Sequence, residues 1–221
     1  MLFRSQHRRR GPDEKIQVAL TADFMFVEDH KVLVFHERST GCIGAVVMTG
    51  DVARDRSVFC KWLTEMGISS TGGVAIQLAT DAEPAVAAFI TSASESMQWL
   101  VEKAPPQGHE FVGAAERSVR TCKEGISVIR SELADQNLGL NLNTQSLSDI
   151  LRYVCHSQNL FSHAHGSDRT PKELASGSKL KEPTFAPFLA RVLAEIPDSI
   201  KERYPMASRF VDAIYIAPVW N

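Results

Sequence analysis

Three acidic residues in this 221-residue chain stand where carboxylates can do chemistry. Asp23 lies in IQVALTADFMFV, Asp81 follows VAIQLAT, and Glu116 stands in FVGAAERSVR. The first two belong to apolar, β-type runs, and the third heads a long helical pattern. Carboxylates delivered from two strands and one helix start can converge on divalent cations. Two such cations held roughly 4 Å apart activate water and stabilise a leaving oxygen in phosphodiester chemistry. Each residue also has a plainer reading. Asp23 can sit at a bulge or an edge, since an unpartnered buried carboxylate costs several kcal/mol. Asp81 can cap the helix that follows it, and Glu116 can be a solvated helix glutamate. The order strand, strand, helix makes the metal reading the better account of all three together.

The elements that must position them follow from periodicity. Residues 16–28 read as a mostly apolar strand, with a turn at Asp29-His30 leading into a second strand over 31–40. GCIGAVVMTG (41–50) supplies a third, and the short spacings predict an antiparallel meander. Helical spacing with a glycine stop covers 52–67. A buried strand at 74–81 suits a parallel position. A helix follows over 83–96, with Pro84 in its first turn, and then a short strand over 98–104. The long helix runs from about Glu110 to Leu133. Its apolar stripe is Ala115, Val119, Cys122, Ile126, Ile129 and Leu133; its polar register holds Glu116, Arg120, Lys123, Ser127 and Arg130. Another helix is expected over 146–161, then a capped single turn in TPKELASG. Strand-like runs return in FAPFLARVLAEIP and SRFVDAIYIAPVW. In VARDRS, Asp55 reads as solvent-facing.

Composition narrows the possibilities. A hydrophobic share of 44% and a charged share of 23% are those of an ordinary globular chain, and no apolar run is long enough to cross a membrane. The net charge of −2 is unlike that of a generic nucleic-acid binder, so any DNA contact must come from local clusters. Three are present: Arg8–Arg10; Arg117, Arg120, Lys123 and Arg130; and Arg169, Lys172, Lys179 and Lys181. The four cysteines show no CxxC pair and read as reduced, mostly buried thiols of an intracellular protein, and the seven histidines complete no zinc pattern. No GxSxG motif supports a serine hydrolase.

TDAEPAV, GAAERSVR, TPKEL and RFVDAIYIA, in that order, resemble segments of the catalytic core of retroviral and retrotransposon integrases. In this resemblance 34 residues separate Asp81 from Glu116, and a glycine three residues before the glutamate gives the chain room to turn. It implies an α/β fold: a ribonuclease H-like, mixed five-stranded sheet flanked by helices, plus a partial small β-barrel at the C-terminus. It divides the chain into a disordered basic tail (1–14), a catalytic core (15–178), and a linker with a C-terminal β module (179–221). It implies a polynucleotidyl transferase performing 3′-end processing and strand transfer. Asp23, Asp81 and Glu116 would be the catalytic residues and the ligands of two Mg²⁺ or Mn²⁺ ions. Arg120 and Lys123, four and seven residues after Glu116, would face DNA with Arg117 and Arg130. Partners would be retroelement ends and target DNA, in a homo-oligomer, with nuclear localisation and no membrane. The sequence departs from the family where Ala82-Glu83 and His109-Glu110-Phe111-Val112-Gly113 replace more polar segments. Two alternatives remain: a ribonuclease H-type nuclease, and a degenerate or domesticated core acting as a non-catalytic DNA-binding module.

Overall fold

Ile16–Val27 forms β1, and the fold is built outward from it. The computed structural model describes residues 16–68, 74–80, 84–96, 100–103, 109–137, 139, 141–180, 186–195 and 210–216. The tail expected over 1–14 lies outside them.

After a turn at Glu28-Asp29, one residue earlier than expected, β2 (His30–Glu37) returns antiparallel to β1, and β3 (Ile43–Val47) returns along β2. Helix α1 (Val52–Glu65) then leads to β4 (Val74–Thr80), which pairs parallel with the free side of β1. Helix α2 (Pro84–Ser96) leads to β5 (Leu100–Lys103), parallel to β4. The result is the mixed five-stranded sheet in the order β3-β2-β1-β4-β5. Leu20, Leu33, Val34, Phe35 and Ile76 are fully buried, as inner strands covered on both faces require. On one face Phe35 meets Phe59 of α1 edge-on, and Phe59 in turn meets Phe89 of α2. The other face is covered by α3 (His109–Asp135), which packs on β1, β2 and β4.

Helix α4 (Thr144–Phe161) packs on α3 and along the edge strand β3. There the buried Asn159 side chain donates to the Ile43 carbonyl at 2.8 Å and accepts from the Ile43 amide at 2.9 Å. It thereby satisfies a backbone position that an exposed edge would offer to another chain. The single turn α5 (Pro171–Ser176) is capped reciprocally by Thr170 and Glu173, as its sequence predicts. The last two strands, β6 (Arg191–Glu195) and β7 (Phe210–Ile214), pair antiparallel as a separate two-stranded sheet. The described residues form this hairpin-like pair and no barrel.

Two expectations need correction. Asp55 does not face solvent: it is 1% exposed. Its carboxylate turns back to accept from the Thr49 amide and hydroxyl, closing the β3–α1 turn. A charged neighbourhood in sequence hides this because the partner lies six residues upstream, off the helix. Gly113 does not provide a turn either, since it lies inside α3.

The glycine that matters to α3 is Gly125. A Cβ there would stand 2.5 Å from Cγ1 of Val154, so glycine sets how closely α3 and α4 approach. Gly125→Ala gains about 1 kcal/mol in helix propensity, but overpacking costs about 1–3 kcal/mol. We expect a lower melting temperature; a higher one would mean the helices are not in close contact.

His156 on α4 is fully buried beside Trp62 of α1, with Nε2 3.6 Å from Oε2 of Glu65. Burial, reinforced by Arg152 and Lys172, pushes its pKa down to about 3 from the ordinary 6.5. Between these values the unfolded chain binds the extra proton, so stability falls as pH drops from 6.5 towards 3. Glu65, raised above its ordinary 4.5 mainly by burial, opposes this between 4.5 and its raised value. His156→Gln is therefore expected to flatten the loss of urea midpoint between pH 7 and pH 5. Equal losses in both proteins would refute the assignment.

Candidate active site

Asp23 sits in the regular ladder of the central strand, opposite Val34, and not at a bulge or an edge. It is half-buried, and its Oδ1 accepts from the Phe24 amide at 2.7 Å. Its Oδ2 takes no hydrogen bond from any described residue. On the other side of β1, the parallel register pairs Ala22 with Thr80, the last residue of β4. Asp81, the next residue in the chain, lies outside the described residues.

Helix α3 forms because its apolar positions fall on one stripe: Ala115, Cys122, Ile126, Ile129 and Leu133 are all buried. The neighbouring stripe, one residue round the helix, carries Glu116, Arg120, Lys123, Ser127 and Arg130, every one exposed. Arg117, a quarter-turn away, is exposed too. Two interactions fix the direction of the helix over the sheet. Burial is the main cause that lowers the His36 pKa, but Arg117 also lowers it, so the start of α3 lies near the Thr21–His36 pair. Farther along, Arg130 pairs with Glu28, at the end of β1, at 3.1 Å. Helix α3 thus runs in the same direction as β1, and Asp23 lies between these two anchor points along the strand.

Among the described residues, no group of three histidines, cysteines, aspartates or glutamates is close enough to hold a metal ion. The expected trio includes Asp81, so two of its three members can be placed: Asp23 on β1 and Glu116 on α3. Glu116 makes no ion pair with a described residue. Of the expected DNA-binding residues, Arg117, Arg120 and Lys123 project from α3, and Arg130 is held by Glu28 with both side chains half-exposed.

All four cysteines are free and buried, and the Cys42 thiol is pushed up to about 11 by burial, which makes it a poor nucleophile. Sequence reasoning missed the cleft between the end of β1 and α3, lined by Phe26, Val27, Lys123, Ser127 and Arg130 among others. Phe26 reads as core from its apolar run, yet it is 66% exposed. The one signal was its place next to the polar turn Glu28-Asp29. Among the described residues no helix is long and apolar enough to cross a membrane.

No family model and no curated protein matches the chain. Solved structures do. The catalytic core domain of BIV integrase superposes with a TM-score of 0.50 at 16% identity, covering 72% of this chain and 93% of that one. The HTLV-2 integrase catalytic core domain, in a trimeric form with magnesium, gives 0.49 at 15%, covering 75% and 99%. A chain of the simian T-cell lymphotropic virus intasome, in complex with PP2A regulatory subunit B56 gamma, gives 0.50 at 15%, covering 94% and 70%. With its sheet order, its crossing helix α3 and the two superpositions at a TM-score of 0.50, the chain has the fold of a retroviral integrase catalytic core.

Proposed function

We propose that the chain is a metal-dependent polynucleotidyl transferase that processes 3′ ends and joins strands of retroelement DNA. The observation that carries this reading is the register at the centre of the sheet. Strand β4 ends opposite Ala22, one residue before Asp23 on the neighbouring strand, and α3 carries Glu116 across the same sheet. A strand aspartate, the residue after a parallel strand, and a glutamate on the helix across the sheet match the order in which Asp23, Asp81 and Glu116 occur. The integrase-core fold agrees with it.

The carboxylates suit a hard divalent cation. Asp23 keeps one oxygen free of hydrogen bonds from described residues, and Glu116 is exposed without an ion pair among them. A few carboxylate oxygens that leave positions for water and phosphate favour Mg²⁺ or Mn²⁺ over an all-protein cage. Two such ions, when bound, activate a water or a 3′-hydroxyl and stabilise the departing oxygen. Asp23 and Glu116, with Asp81, would hold that charge in place. Arg120 and Lys123 would seat DNA phosphates by charge-assisted hydrogen bonds beside Glu116, and Arg117 would flank them. Arg130 can join them at small cost, because a half-exposed pair such as Arg130–Glu28 is worth less than about 1 kcal/mol. A homo-oligomer would present more than one core to paired DNA ends.

Cleavage and joining of labelled duplex DNA, with Mn²⁺ and then Mg²⁺, tests the reading directly. The wild type should show metal-dependent products, and Glu116→Gln should show none. Absence of products, together with no metal-induced rise in melting temperature, would leave a non-catalytic module.

Asp23→Asn separates the metal role from a structural one. The amide oxygen can still accept from the Phe24 amide, so the metal-free melting temperature should stay within a few degrees. The stabilisation that ligand binding gives the folded state should disappear on adding Mn²⁺. If Asp23→Asn unfolds without metal, Asp23 is structural instead.

A further inference from the structure

Cys122 on α3 and Cys155 on α4 bring their Sγ atoms within 4.0 Å of each other, and both side chains are fully buried. Each belongs to the inward stripe of its helix, beside a point where the two helices nearly touch. Gly125 lies one turn along α3 from Cys122, and Val154 is the residue before Cys155. A Cβ on Gly125 would stand 2.5 Å from Cγ1 of Val154. With only a Cβ between backbone and sulfur, two cysteines on separate helices touch only where the helices pack tightly. The other two thiols are placed differently. Cys42 lies on the connection between β2 and β3, and Cys60 of α1 donates to the Ala93 carbonyl at 4.0 Å.

A disulfide needs its sulfurs about 2.0 Å apart, so each sulfur has to move about 1 Å, within the reach of side-chain rotation. Ile126, Ile129, Ile150 and Leu151 are buried along the same two helices. Such surroundings exclude ionic reagents and admit small neutral ones, which selects peroxide as the class of oxidant. The Cys155 thiol is pushed up, first by its contact with the Cys122 thiol and then by burial. The pair therefore rests as thiols, and its oxidation is slow.

We propose that Cys122 and Cys155 are a redox pair that a peroxide closes to a disulfide, fastening α3 to α4. One thiol gives up its proton and attacks a peroxide oxygen, the O–O bond breaks, and a sulfenic acid and one water form. The second sulfur then attacks the first, the S–O bond breaks, and a second water leaves. Two thiols and one hydrogen peroxide become one disulfide and two waters, and a dithiol reductant reverses the change by exchange. The proposal stands apart from the transferase reading. It concerns the helix that carries Glu116, which the bond would tie to α4 at Cys122, six residues farther on.

The test exposes the folded chain to hydrogen peroxide without denaturant, then alkylates the remaining thiols in urea. Intact mass and a non-reducing peptide map are the readouts. The wild type should lose two hydrogens and yield one linked peptide joining Cys122 to Cys155, with Cys42 and Cys60 alkylated. Dithiothreitol should restore the starting mass. The oxidised protein should melt several degrees higher, as closing a loop between positions 33 residues apart allows. Cys122→Ala and Cys155→Ala should each lose the linked peptide, and Cys42→Ala should keep it. The wild-type map decides by itself should a core variant fail to fold. Four results would overturn the pair: no reaction, sulfinic acid in place of the link, a disulfide that uses Cys42 or Cys60, or a link that forms only in urea. A lower melting temperature after oxidation would likewise overturn it, since the bond would then be forced on helices that do not accommodate it.

Discussion

Strand β1 is paired on both sides, antiparallel to β2 and parallel to β4, and the rest of the structure depends on where the second pairing stops. Side chains of a strand alternate between faces, so one residue of slip would exchange the two faces along the whole run. With the register as it is, Thr21 shares the α3 face with its partner His36, and Phe35 turns the other way to meet Phe59. Asp23 has the same parity as Thr21 and so belongs to the α3 face. Among the described residues the last parallel pair is Ala22–Thr80, so the polar position comes one residue beyond it on β1.

The helix that covers this face is set by its packing on the sheet and on α4. Gly125 lets α3 settle on Val154 of α4, Arg130 ties it to the β1–β2 turn, and its buried stripe leaves one rotational setting. That setting turns Glu116, Arg120, Lys123 and Arg130 outward together. Helix α4 in turn is fixed by Asn159 on the edge of β3 and by His156 packed against Trp62. Chemistry on α3 thus rests on contacts of α4 that never approach it.

Most of this framework was legible in the residues. The apolar runs of β1 and β2, the stripe of α3, the Thr170-Pro171 start and the Gly67 stop are local signals, and the elements from β1 to α5 lie within a few residues of their expected bounds. What escaped was set by contacts between distant or differently oriented groups. Asp55 looked solvated because its nearest neighbours are charged, yet its partner is Thr49 in the preceding turn. Phe26 stands in an apolar run, yet it is 66% exposed. The placement of Asp23 and Glu116 on adjoining elements follows from the order of strands and helices, which sequence patterns suggest and pairing registers then specify.

The way the chain treats its other carboxylates bears on which of them are available for chemistry. Glu37, 4% exposed, accepts from the amides and hydroxyls of both Ser39 and Thr40. Asp55 is filled by Thr49, and Glu65 stands against Arg152 and His156. These three are buried or nearly so, and each is compensated, as the cost of desolvating a charge demands. Asp23 and Glu116 are handled differently: the first accepts a single bond from its own neighbour, and the second projects into solvent. A carboxylate already saturated by protein donors has little to offer a cation, whereas an undersaturated one at the centre of a sheet has a reason to be there only if something else completes it. By that criterion Glu37, Asp55 and Glu65 exclude themselves, whereas Asp23 and Glu116 keep coordination to give.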